Sequence, residues 1–215
     1  MAIKGSVEAR CPRGCEPTAV EAWSFVRGDK DEALRDALMA GELNLLVCPD
    51  CSELFYPEAA VVYYDPTAEF VAFVFPESWE AERDQWRDKM RADFAQMRSV
   101  LGRDMPIEVE PVIYFGMEGL REALREEEDL GDQARIAAAL CARLGLAAVP
   151  VARDFARGKR LPWLLPCEAA AGFSAPAALR AVEELLKENP RLSGYFAWRE
   201  ILSQGESVPI GGKSS

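Results

Sequence analysis

The residues with the clearest capacity for chemistry are two close pairs of cysteines, Cys11 and Cys15 in "CPRGC" and Cys48 and Cys51 in "CPDC". Sulfurs two or three residues apart reach one ion only if the backbone between them turns sharply, and Pro12, Gly14 and Pro49 are suitable turn-formers. Two such pairs, with 32 residues between them, match the layout of a zinc ribbon, in which each pair sits on a tight turn and the metal clips two hairpins together. The ligand set is then Cys11, Cys15, Cys48 and Cys51 around one zinc per chain. Iron is the less favoured occupant of the same thiolates, and would bring colour and a redox role. Four thiolates on Zn²⁺ leave a net charge of about −2, which Arg10 and Arg13, flanking the first pair, are placed to offset.

Other readings of the same residues stay open: two reduced pairs without metal, or a dithiol redox centre. A Cys-Pro-x-Cys after a strand also occurs in glutaredoxin-like active sites, where the first cysteine is activated at a helix N-terminus. Here "SELFYPEAAVVYY" follows, with strand periodicity and a proline, so the thiolate would lack that dipole. Cys141 in "RIAAALCARLG" and Cys167 in "LLPCEAA" read as core thiols.

Composition narrows the chemistry further. The 215 residues contain no histidine, which removes Ser-His and Cys-His nucleophiles, histidine bases and every imidazole metal site. The net charge is −11, of which −8 lies in residues 1–77. Such a surface repels phosphate backbones and anionic headgroups, so another protein is the expected partner, and not nucleic acid or membrane. "MAIKGSVEAR" has no signal-peptide h-region, and no apolar run approaches the roughly 18 residues that would span a bilayer. A reducing cytoplasm is the expected location, and it makes six cysteines ligands or core residues before it makes them disulfides.

The elements that must position the cysteines follow from periodicity. Residues 17–26 read as a strand, and "DKDEALRDALMAGE" as a helix with Ala33, Leu34, Ala37 and Leu38 on one face and Gly41 as its stop. A strand from Leu43 to Val47 delivers the chain to Cys48, and "ELFYPEAAVVYYD" and "EFVAFVFP" follow as strands joined by a turn at Asp65-Pro66. Trp79, Trp86, Met90, Phe94, Met97 and Leu101 recur at helical spacing and predict one amphipathic helix over 78–101, with the stripe packed into a core. "IEVEPVIYF" predicts a short strand. Helices are expected at 116–128 and 131–145, punctuated by Gly131 and Gly145, and at "APAALRAVEELLKE" and "RLSGYFAWREILS" on either side of Asn189-Pro190.

The expected class is α+β, with strands early and helices late. A β-rich zinc-ribbon-like domain with one inserted helix occupies 1–77, a long amphipathic helix 78–104, a mixed and mainly helical region 105–205, and a disordered tail 206–215.

At the cysteine block the chain also resembles a known family. The run "LMAGELNLLVCPDCSELFYPEAAVVYYDP", with the upstream "CPRGC", resembles the bacterial CpXC family, named for its two Cys-Pro-x-Cys motifs. The later "YFGMEGLREALREEEDLGDQARI" is similar to a second block of that family, so the likeness covers residues 7 to about 135. The first pair departs from the pattern by holding three intervening residues where the family usually has two, and Ser52 stands where many members have glycine. The resemblance implies a zinc-binding domain with Cys11, Cys15, Cys48 and Cys51 as ligands, and it implies no reaction.

Other motifs carry less. "SVPIGGKSS" puts Ser207 where a phosphate-binding loop needs its first glycine, and no helix follows it. Arg153, Arg157, Lys159 and Arg160 in "RDFARGKR" read as a solvated loop. The carboxylates Glu126, Glu127, Glu128 and Asp129, and Asp104, Glu108 and Glu110, read as exposed charge. Together these observations describe a non-enzymatic, acidic interaction module with a structural zinc site. The alternative is a thiol/disulfide oxidoreductase or an iron-sulfur-ligated electron carrier using the same cysteines.

Overall fold

The computed structural model describes residues 2–101, 109–169 and 173–211, with the backbone alone at 101. Asp104, Glu108, the start of the "IEVEPVIYF" strand and tail residues 212–215 lie outside the described residues. The chain forms two compact units, Met1–Leu124 and Arg125–Ser215. The class is mixed, with an early sheet and a helix-rich later part.

The first unit is built on a five-stranded sheet in the order β1-β2-β5-β6-β7. Its strands are β1 (Ile3–Ala9), β2 (Thr18–Arg27), β5 (Val61–Asp65), β6 (Phe70–Phe75) and β7 (Val112–Phe115). β1 with β2, and β5 with β6, are antiparallel hairpins, whereas β2 with β5 and β6 with β7 run parallel. Parallel neighbours need a crossover between them. The first contains helix α1 (Glu32–Ala40) and a two-stranded ribbon, β3 (Leu46–Val47) with β4 (Leu54–Phe55). The second contains a 3-10 turn (Glu77–Glu82) and helix α2 (Arg83–Leu101). Because β7 completes the sheet, the compact unit extends well past residue 77 and ends inside helix α3 (Met117–Leu144).

Both faces of this sheet are covered, which explains why "FVAFVF" in β6 is buried at every position instead of alternating. On one face, Val61, Tyr63, Ala72 and Val74 pack with Leu38 of α1 and with Leu120 and Leu124 of α3. On the other, Tyr64, Val71, Phe73 and Phe75 pack with Met90 and Phe94 of α2. The apolar stripe of 78–101 therefore belongs to a core, although its first turn is 3-10 and not α. Trp79 stacks on Trp86 with ring centroids 4.1 Å apart, and Trp86 lies 5.2 Å from Phe75.

Local chemistry sets the ends of several elements. Gly41 closes α1 at φ 79°, a left-handed conformation that costs glycine least, and its N–H reaches back to the carbonyls of Ala37 and Leu38. Asp65 Oδ1 accepts from the Thr67 N–H, the Thr67 hydroxyl and the Ala68 N–H, so the Asp65-Pro66 turn is held by one carboxylate. Ala33 is exposed, and Met39 joins Leu34 and Leu38 on the packed side of α1. The strand expected from Leu43 is only Leu46–Val47. Asn44, at φ 60°, interrupts it by turning its amide onto the backbone of Trp23: Oδ1 accepts from the N–H at 2.8 Å and Nδ2 donates to the carbonyl at 2.9 Å.

The second unit differs more from expectation. α3 is one continuous helix through Gly131, where an added Cβ would meet nothing within 4 Å, so no close contact demands a glycine there. The mainly helical region also holds an antiparallel pair, β8 (Leu146–Pro150) and β9 (Leu164–Glu168), and "RDFARGKR", expected to be a loop, starts as helix α4 (Arg153–Gly158) between them. Cys167 lies on β9 and is buried. Helices α5 (Ala175–Glu188) and α6 (Ser193–Ser203) complete a core of Leu165, Val182, Leu185, Tyr195 and Trp198, which also takes in Cys141. The Trp198 indole N–H donates to the Pro162 carbonyl at 2.8 Å, and buried Gln133 accepts from the Gly194 N–H at 2.8 Å. The segment expected to be disordered from 206 is paired as far as Gly211. The Ala152 N–H donates to the Pro209 carbonyl, the Gly211 N–H to the Pro150 carbonyl, and Val151 bridges Ile210.

Gly28 is sterically obligatory at the end of β2, because a Cβ there would lie 2.0 Å from the Tyr63 hydroxyl oxygen. Gly28→Ala should lower unfolding free energy by about 1–3 kcal/mol. Gly5→Ala, where a Cβ meets nothing within 4 Å, should stay within about 0.5 kcal/mol of the parent in the same denaturant titration.

Candidate metal centre

The first cysteine pair occupies the turn between β1 and β2, and the second the turn between β3 and β4. Each turn folds tightly for identifiable reasons. In the first, the Gly14 N–H donates to the Cys11 carbonyl at 2.9 Å and Gly14 adopts φ 80°, which brings Cys15 back toward Cys11 across three intervening residues. In the second, the Ser52 N–H donates to the Cys48 carbonyl at 2.9 Å and the Cys48 N–H donates to the Glu53 carbonyl at 2.8 Å. Ser52 has φ 61°. That left-handed conformation explains a preference for glycine at this position, and serine holds it under strain.

The two turns bring the four predicted residues together. All four Sγ atoms lie within 4.8 Å of one another, and those of Cys11 and Cys51 are 3.6 Å apart. Sulfurs about 2.3 Å from a tetrahedral zinc stand about 3.8 Å from each other, so this donor set fits one such ion with small adjustments. Cys11 and Cys48 are buried, Cys15 is half-buried, and Cys51 is exposed.

The charge of a thiolate cluster is met by backbone N–H groups, and not by the flanking arginines. Arg10 pairs with Glu8 at 2.8 Å and Arg13 with Glu53 at 2.8 Å. Their guanidinium groups are thereby committed to carboxylates. In their place the Arg13 N–H points at Cys11 Sγ at 3.4 Å. The N–H groups of Cys51 and Asp50 likewise favour a thiolate at Cys48 and, against the cost of burial, bring its thiol down to about 7. Cys15, hydrogen-bonded first to Cys51 and then to Cys48, is pushed up to about 12. Cys51 is drawn down by the Glu53 N–H, yet partial desolvation of its thiol and its Cys11 and Cys48 neighbours leave it above its ordinary value. Without metal the thiolate is thus favoured at Cys48 and disfavoured at Cys15 and Cys51, so a divalent ion has protons to displace. These N–H donors and the conformation of Ser52 were missed by sequence reasoning. The only signal for them was the glycine that the resembled family carries at that position.

A family model described as "CpXC protein" matches residues 9–136, more than half of the chain. The chain belongs to the CpXC family. No curated protein matches it, and no solved structure does. In this CpXC protein the matched span takes in the sheet from β2 to β7, both cysteine turns and most of α3.

The remaining candidates fall elsewhere. Cys141 and Cys167 are buried thiols in the second unit, and burial pushes Cys141 up to about 11. "RDFARGKR" forms α4 and is committed to carboxylates: Arg157 to Glu127 at 2.6 Å, Arg160 to Glu126 at 3.4 Å, and Lys159 to Glu206 at 2.7 Å. Arg153 lies 3.8 Å over the Trp163 ring. Two of the carboxylates expected as free surface charge, Glu126 and Glu127, are therefore ion-pair partners, and Asp129 accepts from Gln133 at 2.8 Å. No helix among the described residues is long and apolar enough to cross a membrane.

Two outcomes follow from the site. Zinc uptake near pH 7 should release about two or more protons per ion, so affinity should rise about a hundredfold or more per pH unit, read by competition with a chromophoric chelator. A pH-independent affinity would mean the four thiols do not act together. Ser52→Gly should raise unfolding free energy by up to about 1 kcal/mol by relieving the left-handed strain, seen as a higher melting temperature.

Proposed function

We propose that this CpXC protein is non-enzymatic: one structural zinc ion, held by Cys11, Cys15, Cys48 and Cys51, clips the β3–β4 ribbon to the β1–β2 hairpin in an acidic unit that binds another protein. The observation that carries the reading is the convergence of four sulfurs, from turns far apart in sequence, within 4.8 Å. The donor chemistry supports zinc, because thiolates suit it and no imidazole exists in the chain to complete another kind of site. The ribbon itself supports a structural role. β3 and β4 are two residues each, too short to be stable alone, and depend on an external clamp. A reducing compartment suits six free thiols. The acid-rich surface supports a protein partner over nucleic acid.

Elemental analysis of untagged protein purified without added metal should find about one zinc per chain, with no visible absorption band. Cys48→Ser should abolish that zinc and lower the melting temperature by about 10 °C or more, since metal-binding free energy at such a site is folding free energy. A coloured protein containing iron, or a metal-free protein that turns over a disulfide substrate through Cys48 and Cys51, would replace this reading with the redox one.

A further inference from the structure

The first unit holds a groove that the metal centre does not use. It lies at the carboxyl ends of the parallel strands β6 and β7, the position at which open sheets containing parallel strands bind ligands. Its volume is about 460 Å³. Val74, Phe75, Phe115 and Met117 supply apolar lining, and the segment Tyr56–Ala59 forms one wall.

Its charge decides what it can bind. The N-terminus of α3 opens into the groove, and such an end attracts anions. It is already supplied with carboxylates, however. Glu118 sits in its first turn, paired with Arg121 at 2.7 Å, and Glu77 Oε2 stands 3.9 Å from the point a side chain on Gly116 would reach. Glu58 is the third carboxylate of the lining and accepts from the Ser78 hydroxyl at 2.7 Å. Among the described residues no cation pairs with Glu58 or Glu77. An anion would be repelled, and a cation would find two carboxylates beside an apolar floor.

A further feature favours a polypeptide over a small amine. The groove runs on into an exposed apolar ridge on the ribbon: Tyr56, in the groove wall, is 45 % exposed, Leu54 is 59 % exposed, and its cross-strand partner Val47 is 62 % exposed. A linear apolar ridge leading into a pocket suits an extended chain with alternate side chains to place.

We propose that this groove and ridge dock an extended segment of a partner protein, with a lysine or arginine placed between Glu58 and Glu77 and apolar side chains on Phe115, Met117 and Leu54. The proposal rests on the interaction-module reading and names the chemistry of its partner.

The test uses the full-length, metal-loaded protein and a fluorescently labelled nonapeptide of alternating leucine and lysine, followed by anisotropy at moderate salt. Matched peptides replace lysine with glutamate or leucine with serine. Each exposed ion pair is worth about threefold in affinity, so Glu58→Gln with Glu77→Gln should weaken the leucine-lysine peptide about tenfold. Glutamine can still accept from Ser78, and the melting temperature and zinc content should hold. Glu8→Gln with Glu21→Gln, an equal charge change on the β1–β2 hairpin, should weaken it less than about twofold. Neither matched peptide should bind. Equal losses from the two double variants, an undiminished glutamate peptide, spermidine competing as strongly as the peptide, or no binding at all would each overturn the groove. Zinc content is scored separately: loss of peptide binding in a zinc-replete protein removes the groove alone, and a zinc-free parent removes the metal reading alone.

Discussion

The parallel pairing of β2 with β5 is the constraint on which the rest of the first unit depends. A hairpin turn cannot join two parallel neighbours, so the chain leaving Arg27 must travel back before it re-enters at Val61. That return path holds α1, which covers one face of the sheet, and the β3–β4 ribbon, which carries Cys48 and Cys51. Cys11 and Cys15 come from the turn of the hairpin whose second strand, β2, begins the excursion. Both halves of the cysteine cluster are therefore attached to one strand, one half directly and the other through the crossover. Sheet topology and the geometry of the four sulfurs are a single design.

The ribbon of four strand residues carries little packing of its own, and both its outward apolar side chains and its sulfurs sit on that slender support. A metal clamp and a docking ridge on the same ribbon make sense together. The ion would hold the register of Val47 against Leu54, and the ridge is useful only in that register. The buried aromatic layer beneath, with Phe75 against Trp86 and Phe115, gives the groove a rigid floor.

The four clustered cysteines were fully legible in the sequence, because residue type and spacing are local properties that tight turns translate directly into geometry. The α1 helix, the β5–β6 hairpin and the stripe on α2 were legible for a similar reason: each has a strong period and identifiable end signals. What periodicity could not show was partnership. Nothing in "PVIYF" says that β7 pairs with β6, so the boundary expected at residue 77 falls inside a sheet. "GLAAVP" and "LLPCE" are short, proline-containing and apolar, and became strands only through each other. Gly131 suggested a helix end, but a lone glycine costs only about 1 kcal/mol against alanine, too little to interrupt a helix that buries Leu120, Ala134 and Cys141 along its length. Arg10 and Arg13 looked like counter-charges for the thiolates, and pairing with Glu8 and Glu53 could not be read from proximity to the motif alone.

Asn44 shows how narrowly one position can be specified. It must sit in a left-handed conformation, present an acceptor to one backbone group of Trp23, and present a donor to the other. Aspartate tolerates the conformation but has no donor when ionised. Glutamine has both groups on a longer arm and less tolerance of positive φ, and glycine offers the conformation with no side chain at all. The vocabulary of twenty residues thus contains a single word for this site, placed four residues before the first cysteine of the ribbon, where an imprecise entry angle would carry straight through to the sulfurs.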